Sequence, residues 1–165
     1  MRALAELQAP EAIEGLLPAL SAFIDDDWFS DDLPQAYALL GPAAIPALGC
    51  YLGDAGNEER ARLTAIDCLV KMADHTPAAR DQCIAVLCSN LNEPRSQNAI
   101  FNGPMIMALM EMDGIEALET IRAAFGAGAV DINLTGDLED VEIYFGVRAE
   151  RSTPKPRYNN GLMSE

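Results

Sequence analysis

The chain has 165 residues and a formal net charge of -15; half of its residues are apolar and only 6% are aromatic. Because an acidic surface lacks the cations that neutralise phosphates, the charge argues against binding to nucleic acid or to an anionic membrane. The apolar residues are mostly alanine, leucine, isoleucine and methionine, which is typical of packed helices and not of β-sandwiches. The composition therefore predicts an all-α fold with one core.

The amino terminus lacks the apolar core of a secretory signal, and no apolar stretch approaches the roughly 20 residues that a membrane span needs. The four cysteines lie in apolar helical patterns without a CxxC pair or a zinc-ligand spacing. They are Cys50, Cys68, Cys83 and Cys88. We therefore expect a cytoplasmic protein with buried, reduced thiols, no metal and no cofactor.

A break at a small residue or a proline precedes an apolar helix pattern four times. The breaks lie at Ala9-Pro10, Gly41-Pro42, Thr76-Pro77 and Asp113-Gly114, which are 32, 35 and 37 residues apart. A period in this range is typical of stacked helix pairs, since no single pair buries its apolar face alone. The sequence predicts a right-handed α-α superhelix, or solenoid, of about three and a half helix pairs over residues 1–128.

The first unit is predicted to be a clipped terminal repeat. Only residues 2–8 remain for its first helix, whereas its second helix has a full apolar face. That face consists of Ile13, Leu16, Leu17, Leu20 and Ile24.

An acidic run, residues 25–32 (DDDWFSDD), joins the first two units and holds the only tryptophan. The run lacks the glycine and the final glutamate of a calcium loop. Two interpretations stay open. Trp28 and Phe29 pack beneath the second unit while the aspartates cap its helix, or the two rings form an aromatic anchor for a protein partner.

The second, third and fourth units each show two apolar helical faces around a turn. The faces are Leu33, Ala36, Tyr37, Leu40 with Ile45, Leu48, Tyr51, Leu52; Leu63, Ile66, Val70, Ala73 with Cys83, Ile84, Leu87, Leu91; and Ile106, Leu109, Met110 with Ile115, Leu118, Ile121, Phe125. The methionine-rich run 105–112 is predicted to fill the core of the fourth unit, with an adaptable binding face as the alternative. His75, the only histidine, lies in a turn without a nucleophile motif, so we expect no catalytic role for it.

The stretches AYALLGPAAIPALGCYLGD, TAIDCLVKMADHTPAARDQCIAVLCSNL and MALMEMDGIEALETIRAAFGAG resemble HEAT-like repeats, especially the short variety of phycobilisome lyases. The resemblance covers residues 9–128. The arginine that the pattern places early in each first helix occurs only in the third unit, as Arg60 or Arg62. The resemblance implies a helical scaffold or adaptor. It also implies an alternative function, a lyase or chaperone that attaches a bilin to phycobiliproteins.

Residues 129–165 form a predicted non-repeat appendix. Thr135-Gly136-Asp137 followed by Asp140 indicates a helix start, and Leu138, Val141 and Phe145 share a helical face that Gly146 can end. The same segment also alternates as a strand would, and we favour the helix. The basic tail beyond Arg148 is expected to be extended, either folded back on the acidic body or free to bind a partner.

The charge pattern predicts an acidic interaction surface. Residues 1–59 hold eleven acidic groups against one basic group, whereas residues 148–165 hold four basic groups against two acidic ones. We expect a non-enzymatic scaffold or adaptor that binds a basic or amphipathic protein; a structural subunit of a larger assembly is a further alternative. Candidate partner-binding residues come from the presumed concave face, the aromatic run and the tail: Glu14, Trp28, Phe29, Asp81, Glu119, Arg122, Arg148, Arg151, Arg157 and Tyr158.

Overall fold

The computed structural model describes residues 10–22, 27–92 and 99–157, and all regular structure within these ranges is helical. The predicted all-α class is therefore confirmed at this level. The chain divides into two compact units, Met1–Asn90 and Leu91–Glu165. The predicted boundary between residues 128 and 129 stays a prediction.

The first unit contains six of the described helices. They are α1 (Pro10–Leu16), α2 (Ala19–Ala22), α3 (Asp27–Leu40), α4 (Ile45–Gly53), α5 (Glu59–His75) and α6 (Arg80–Leu91). The second unit contains four: α7 (Ala99–Glu111), α8 (Leu118–Gly126), α9 (Ile132–Thr135) and α10 (Leu138–Tyr144). The last residue of α6 belongs to the second unit by contact.

Three helix pairs are joined by the same short 3₁₀ turn. The turns are Pro42–Ala44, Pro77–Ala79 and Ile115–Ala117. In each, the backbone N–H of the third residue donates to the carbonyl before the turn: Ala44 to Gly41 (3.1 Å), Ala79 to Thr76 (2.8 Å) and Ala117 to Gly114 (2.9 Å). The predicted breaks at these three positions are confirmed.

The segment that leads into the third turn is longer by one residue. The N–H of Gly41 bonds back to Tyr37 and that of Thr76 to Met72, both four residues earlier, whereas that of Gly114 reaches Leu109, five residues earlier. The additional residue, Asp113, has a φ of 51°. A residue in the left-handed conformation, followed by a backbone hydrogen bond to a carbonyl five residues earlier, commonly ends a helix.

Equivalent positions around the turns supply the core. The first helix of each pair ends with a backbone hydrogen bond to the carbonyl of Tyr37, Met72 or Leu109. All three of these residues are fully buried. Four residues after each buried turn alanine, the second helices place Leu48, Cys83 and Ile121, also fully buried. The three pairs therefore bury corresponding faces.

Within the first unit, the second and third pairs pack on each other. Both α3 and α4 contact α5. Helices α4 and α6 approach closely at Gly49, where an added Cβ would lie 2.7 Å from Cγ1 of Val86. The buried Arg62 of α5 donates through Nε to the carbonyl of Leu52 (2.7 Å) and so holds α5 to the end of α4.

The predicted first repeat differs in part from the structure. Its second helix is interrupted, since α1 ends at Leu16 and α2 begins at Ala19, and Ile24 lies outside the described residues. Pro18 is the physical cause, because a proline inside a helix removes a backbone donor and clashes with the preceding turn. The predicted first helix, residues 2–8, lies outside the described residues. The acidic run is helical from Asp27 onward.

In the second unit, α9 packs on α7 and α10 packs on α8. Helix α10 begins with a capping box, in which Asp137 accepts from the N–H of Asp140 (3.1 Å) and Asp140 accepts from the N–H of Asp137 (3.3 Å). Gly146 follows it with a φ of 69°. The predicted helix, its start and its glycine end are confirmed.

Within the described residues, no individual helix combines the length and the apolar composition that a membrane span requires. One bent pair, Asp32–Leu40 with Pro42–Gly53, meets both criteria only when its helices are taken together across an angle of 104°.

Candidate interaction surfaces

The three acidic residues that were predicted to line a concave face are all exposed. Asp81 forms an ion pair with the neighbouring Arg80 (3.1 Å), and Glu119 pairs with Arg122 (2.6 Å). Glu14 lies on α1 in the first unit. Two of the three predicted carboxylates therefore already have a cation beside them.

Arg122 and Arg148 meet at one buried carboxylate. Glu142 of α10 is only 6% exposed. Its Oε1 accepts from Nε and Nη2 of Arg122 (2.9 and 2.8 Å), and its Oε2 accepts from Nε of Arg148 (2.8 Å). These bonds lower the pKa of Glu142, with Arg148 as the main cause. Glu142 thus joins α8, α10 and the start of the basic tail.

Arg151 binds the first turn of α10. Its Nη1 donates to Oδ1 of Asp137 (3.0 Å) and to Oδ1 of Asp140 (2.6 Å), and Nη2 donates to Oδ2 of Asp137. The hydrogen bond to Asp137 is the largest cause of the raised pKa of Arg151. Lys155 also approaches Asp140, with 3.8 Å between Nζ and Oδ1.

Glu139 accepts several bonds from the tail. The hydroxyl of Ser152, the N–H of Thr153 (3.1 Å) and the hydroxyl of Thr153 (3.0 Å) all donate to its carboxylate. Because these donors stabilise the charged form, and the Ser152 hydroxyl most of all, they lower the pKa of Glu139 to about 2. The tail from Arg148 to Lys155 is therefore folded back on α10.

These contacts define the C-terminal charge cluster: Glu119, Arg122, Asp137, Glu139, Asp140, Glu142, Arg148, Arg151 and Lys155. Four predicted partner-binding residues, Glu119, Arg122, Arg148 and Arg151, belong to it. Arg157 is exposed beyond the cluster, and Tyr158 lies outside the described residues. Trp28 and Phe29 lie in the first turn of α3, but their side chains are also outside the described part.

The methionine-rich run of α7 serves both the core and the surface. Met105 and Met112 are buried, as the core interpretation predicts, whereas Met107 is 48% exposed and Met110 is half-buried. The prediction that the run fills the core is therefore only partly confirmed.

The cysteines differ from one another in exposure. Cys68 and Cys83 are buried, and burial raises the pKa of Cys83 to about 11. Cys88 is half-buried. Cys50 is exposed, so the expectation of four buried thiols is wrong. Cys50 is exposed because it lies midway between Leu48 and Leu52, which point inward from α4, and so it lies on the opposite face of the helix.

No group of acidic, histidine or cysteine side chains in the described ranges could hold a metal ion. His75 is exposed at the end of α5. The hydroxyl of the fully buried Tyr37 has no hydrogen-bond partner among the described residues, and burial raises its pKa.

No protein-family model, curated protein or solved structure matches the chain. The resemblance to HEAT-like repeats stays a prediction.

Proposed function

We propose that this protein is a non-enzymatic adaptor of the HEAT-like solenoid type, whose acidic surface binds a basic or amphipathic protein. The solenoid part of the proposal is supported by the three helix pairs with equivalent turns and equivalent buried positions. It is supported further by the contacts of α3 and α4 with α5 and by the close approach of α6 to α4 in the first unit.

The binding proposal is carried by the observation that several arginines of the chain form ion pairs with its own carboxylates. Arg122, Arg148 and Arg151 are held by carboxylates of the C-terminal charge cluster. These three arginines are therefore already paired within the chain, and the negative field around the protein comes from carboxylates outside the cluster. Exposed carboxylates outside the cluster include Glu14, Asp32, Asp54, Glu58, Glu59 and Glu111. Such a field attracts a basic partner over about 8–10 Å at physiological salt and chiefly raises the association rate.

The proposal is tested by retention of proteins from native lysate on the immobilised full chain, followed by elution with increasing salt. We expect the eluted proteins to be basic, because screening weakens contacts between exposed charges. Retention that salt does not change, or retention of acidic proteins, would contradict the proposal.

A matched pair of variants separates local charge from total charge. The first carries Glu14→Gln, Asp32→Asn and Glu58→Gln, three exposed carboxylates. The second neutralises three carboxylates that each lie beside a cation of the chain: Asp74→Asn, Asp81→Asn and Glu119→Gln. Both variants change the net charge by the same amount. We expect the first to lose retention and the second to keep most of it; the reverse order would favour the predicted Asp81 and Glu119 surface.

A further inference from the structure

Large apolar side chains are exposed at five described positions, all of which lie in the second unit. They are Met107, Ile115, Leu134, Tyr144 and Val147. Scattered exposed apolar residues are common on protein surfaces, but contiguous ones mark binding sites.

Contacts around α7 place two of them, Leu134 and Tyr144, beside the helical face that carries a third, Met107. Gly103, Met107 and Met110 are four and three residues apart and so share one helical face. Leu134 of α9 covers one end of that face, since its Cβ and Cδ1 would lie 3.4 Å from a Cβ on Gly103. Tyr144 of α10 reaches the other end, where its hydroxyl donates to the carbonyl of Met110 (3.0 Å).

We propose that this α7 strip (Leu134, Met107, Met110 and Tyr144) docks the apolar face of a basic amphipathic helix. The proposal rests on the proposed adaptor function and adds an apolar contact in the second unit to the acidic surface. Met107, Leu134 and Tyr144 are 48%, 49% and 52% exposed, so each still has apolar area to bury. Methionine suits such a surface, because its unbranched side chain adapts to different partner shapes.

Charge complementarity identifies the occupant. Glu111 lies on α7 one turn after Met107, and the exposed Asp113 and Glu116 follow in the adjoining turn. An apolar strip with an acidic border fits a helix with one apolar face and one cationic face. A second copy of the chain fits less well, since a two-fold contact would place this acidic border beside its own copy.

The test uses a designed Leu/Lys peptide of about 18 residues, roughly five helical turns, with its leucines on one face. Binding to the full chain is measured by fluorescence anisotropy at low and high salt. A peptide of the same composition with its leucines scattered serves as the control. We expect the amphipathic peptide to bind more tightly than the scattered one, and the difference to persist at high salt, because apolar contacts are not screened.

Two strip variants, Met107→Gln and Leu134→Gln, test the location. Both positions are half exposed, so the fold should tolerate them. Each is expected to weaken binding of the amphipathic peptide about five- to tenfold, the size expected from the apolar area that each would bury. Val147→Thr, at an exposed apolar position that the contacts do not join to the strip, is the matched control and should leave binding unchanged.

The outcomes separate the two proposals. If the wild type binds the peptides in a salt-sensitive way but both strip variants bind as well as it does, the strip is wrong and the acidic adaptor stands. If the wild type shows no salt-sensitive binding, the proposed function itself fails. If sedimentation shows a dimer that Met107→Gln dissociates, the strip contacts a second copy and the docking proposal is overturned.

Discussion

The α4–α6 contact of the first unit and the C-terminal charge cluster of the second hold segments of the chain in different ways. At the α4–α6 contact, Gly49 has no side chain, so Val86 can approach the backbone of α4. At the second, Arg151 and Glu139 hold the tail against α10 through ion pairs and hydrogen bonds. The first contact depends on shape and the second on charge. They should therefore respond to different perturbations: substitution of volume for the first, and salt or pH for the second.

The largest effect should come from truncating a buried side chain at a core position that the three helix pairs have in common. Leu48 is fully buried, so Leu48→Ala removes apolar contacts and leaves a cavity. We expect a loss of about 2–5 kcal/mol in the free energy of unfolding, measured by urea denaturation. Met107→Ala at an exposed position is the control and should change stability by less than about 0.5 kcal/mol. Equal effects would contradict the assignment of Leu48 to the core.

The close approach of α4 and α6 should be sensitive to a single methyl group. In Gly49→Ala the new Cβ meets Cγ1 of Val86 at 2.7 Å, and a β-branched side chain has few other rotamers to adopt. We expect a destabilisation of about 1–3 kcal/mol. Gly126→Ala meets nothing within 4 Å and should be neutral or stabilising, since alanine favours a helix over glycine. A stable Gly49→Ala variant would show that the two helices are farther apart.

The charge cluster should respond to one carboxylate in particular. Glu139 accepts hydrogen bonds from both residues that follow Arg151, so Glu139→Gln should loosen the backbone there. We expect trypsin to cleave after Arg151 about three to ten times faster in this variant, and faster in the wild type at high salt. Glu150→Gln makes the same change of charge at an exposed position of the tail and should not alter the rate. Rapid cleavage of the wild type at every salt concentration would show that the tail is not held.

The smallest effect is the pH dependence of the same contact. The pKa of Glu139 is lowered to about 2 in the folded protein, below the usual value for the unfolded chain of about 4.3. The stabilisation is therefore fully present above about pH 4.3 and is lost as the pH falls toward 2. The amide signals of Ser152 and Thr153 should accordingly titrate in nuclear magnetic resonance spectra with a midpoint well below 4. A midpoint near 4.3 would contradict the hydrogen bonds.

The helix pairs were predictable because their information is local and periodic. Proline and glycine breaks mark the turns, and the apolar spacing around them marks residues such as Leu48 and Ile121 that are buried in the structure. The capping box at Asp137 was recognisable for the same reason. The break at Pro18 was missed because the apolar pattern continues across it, although a proline inside a helix was a sufficient signal.

The interaction surfaces were less predictable, because they depend on residues that are distant in sequence. The charge of the tail left a folded-back and a free tail both open, and it could not indicate that Arg122 of α8 and Arg148 share Glu142. Likewise, the methionine run contained the α7 strip, but periodicity could not show that Leu134 and Tyr144 adjoin it. Contacts between separate segments had to come from the structure.

Hydrogen exchange of the full chain, with and without the amphipathic Leu/Lys peptide, tests the adaptor and its contact surface together. We predict that the peptide slows amide exchange in α7 between residues 103 and 110 and in α9, and that exchange in α4 and α6 stays unchanged. Slower exchange confined to α4 and α6, or no change anywhere at a saturating peptide concentration, would contradict the account.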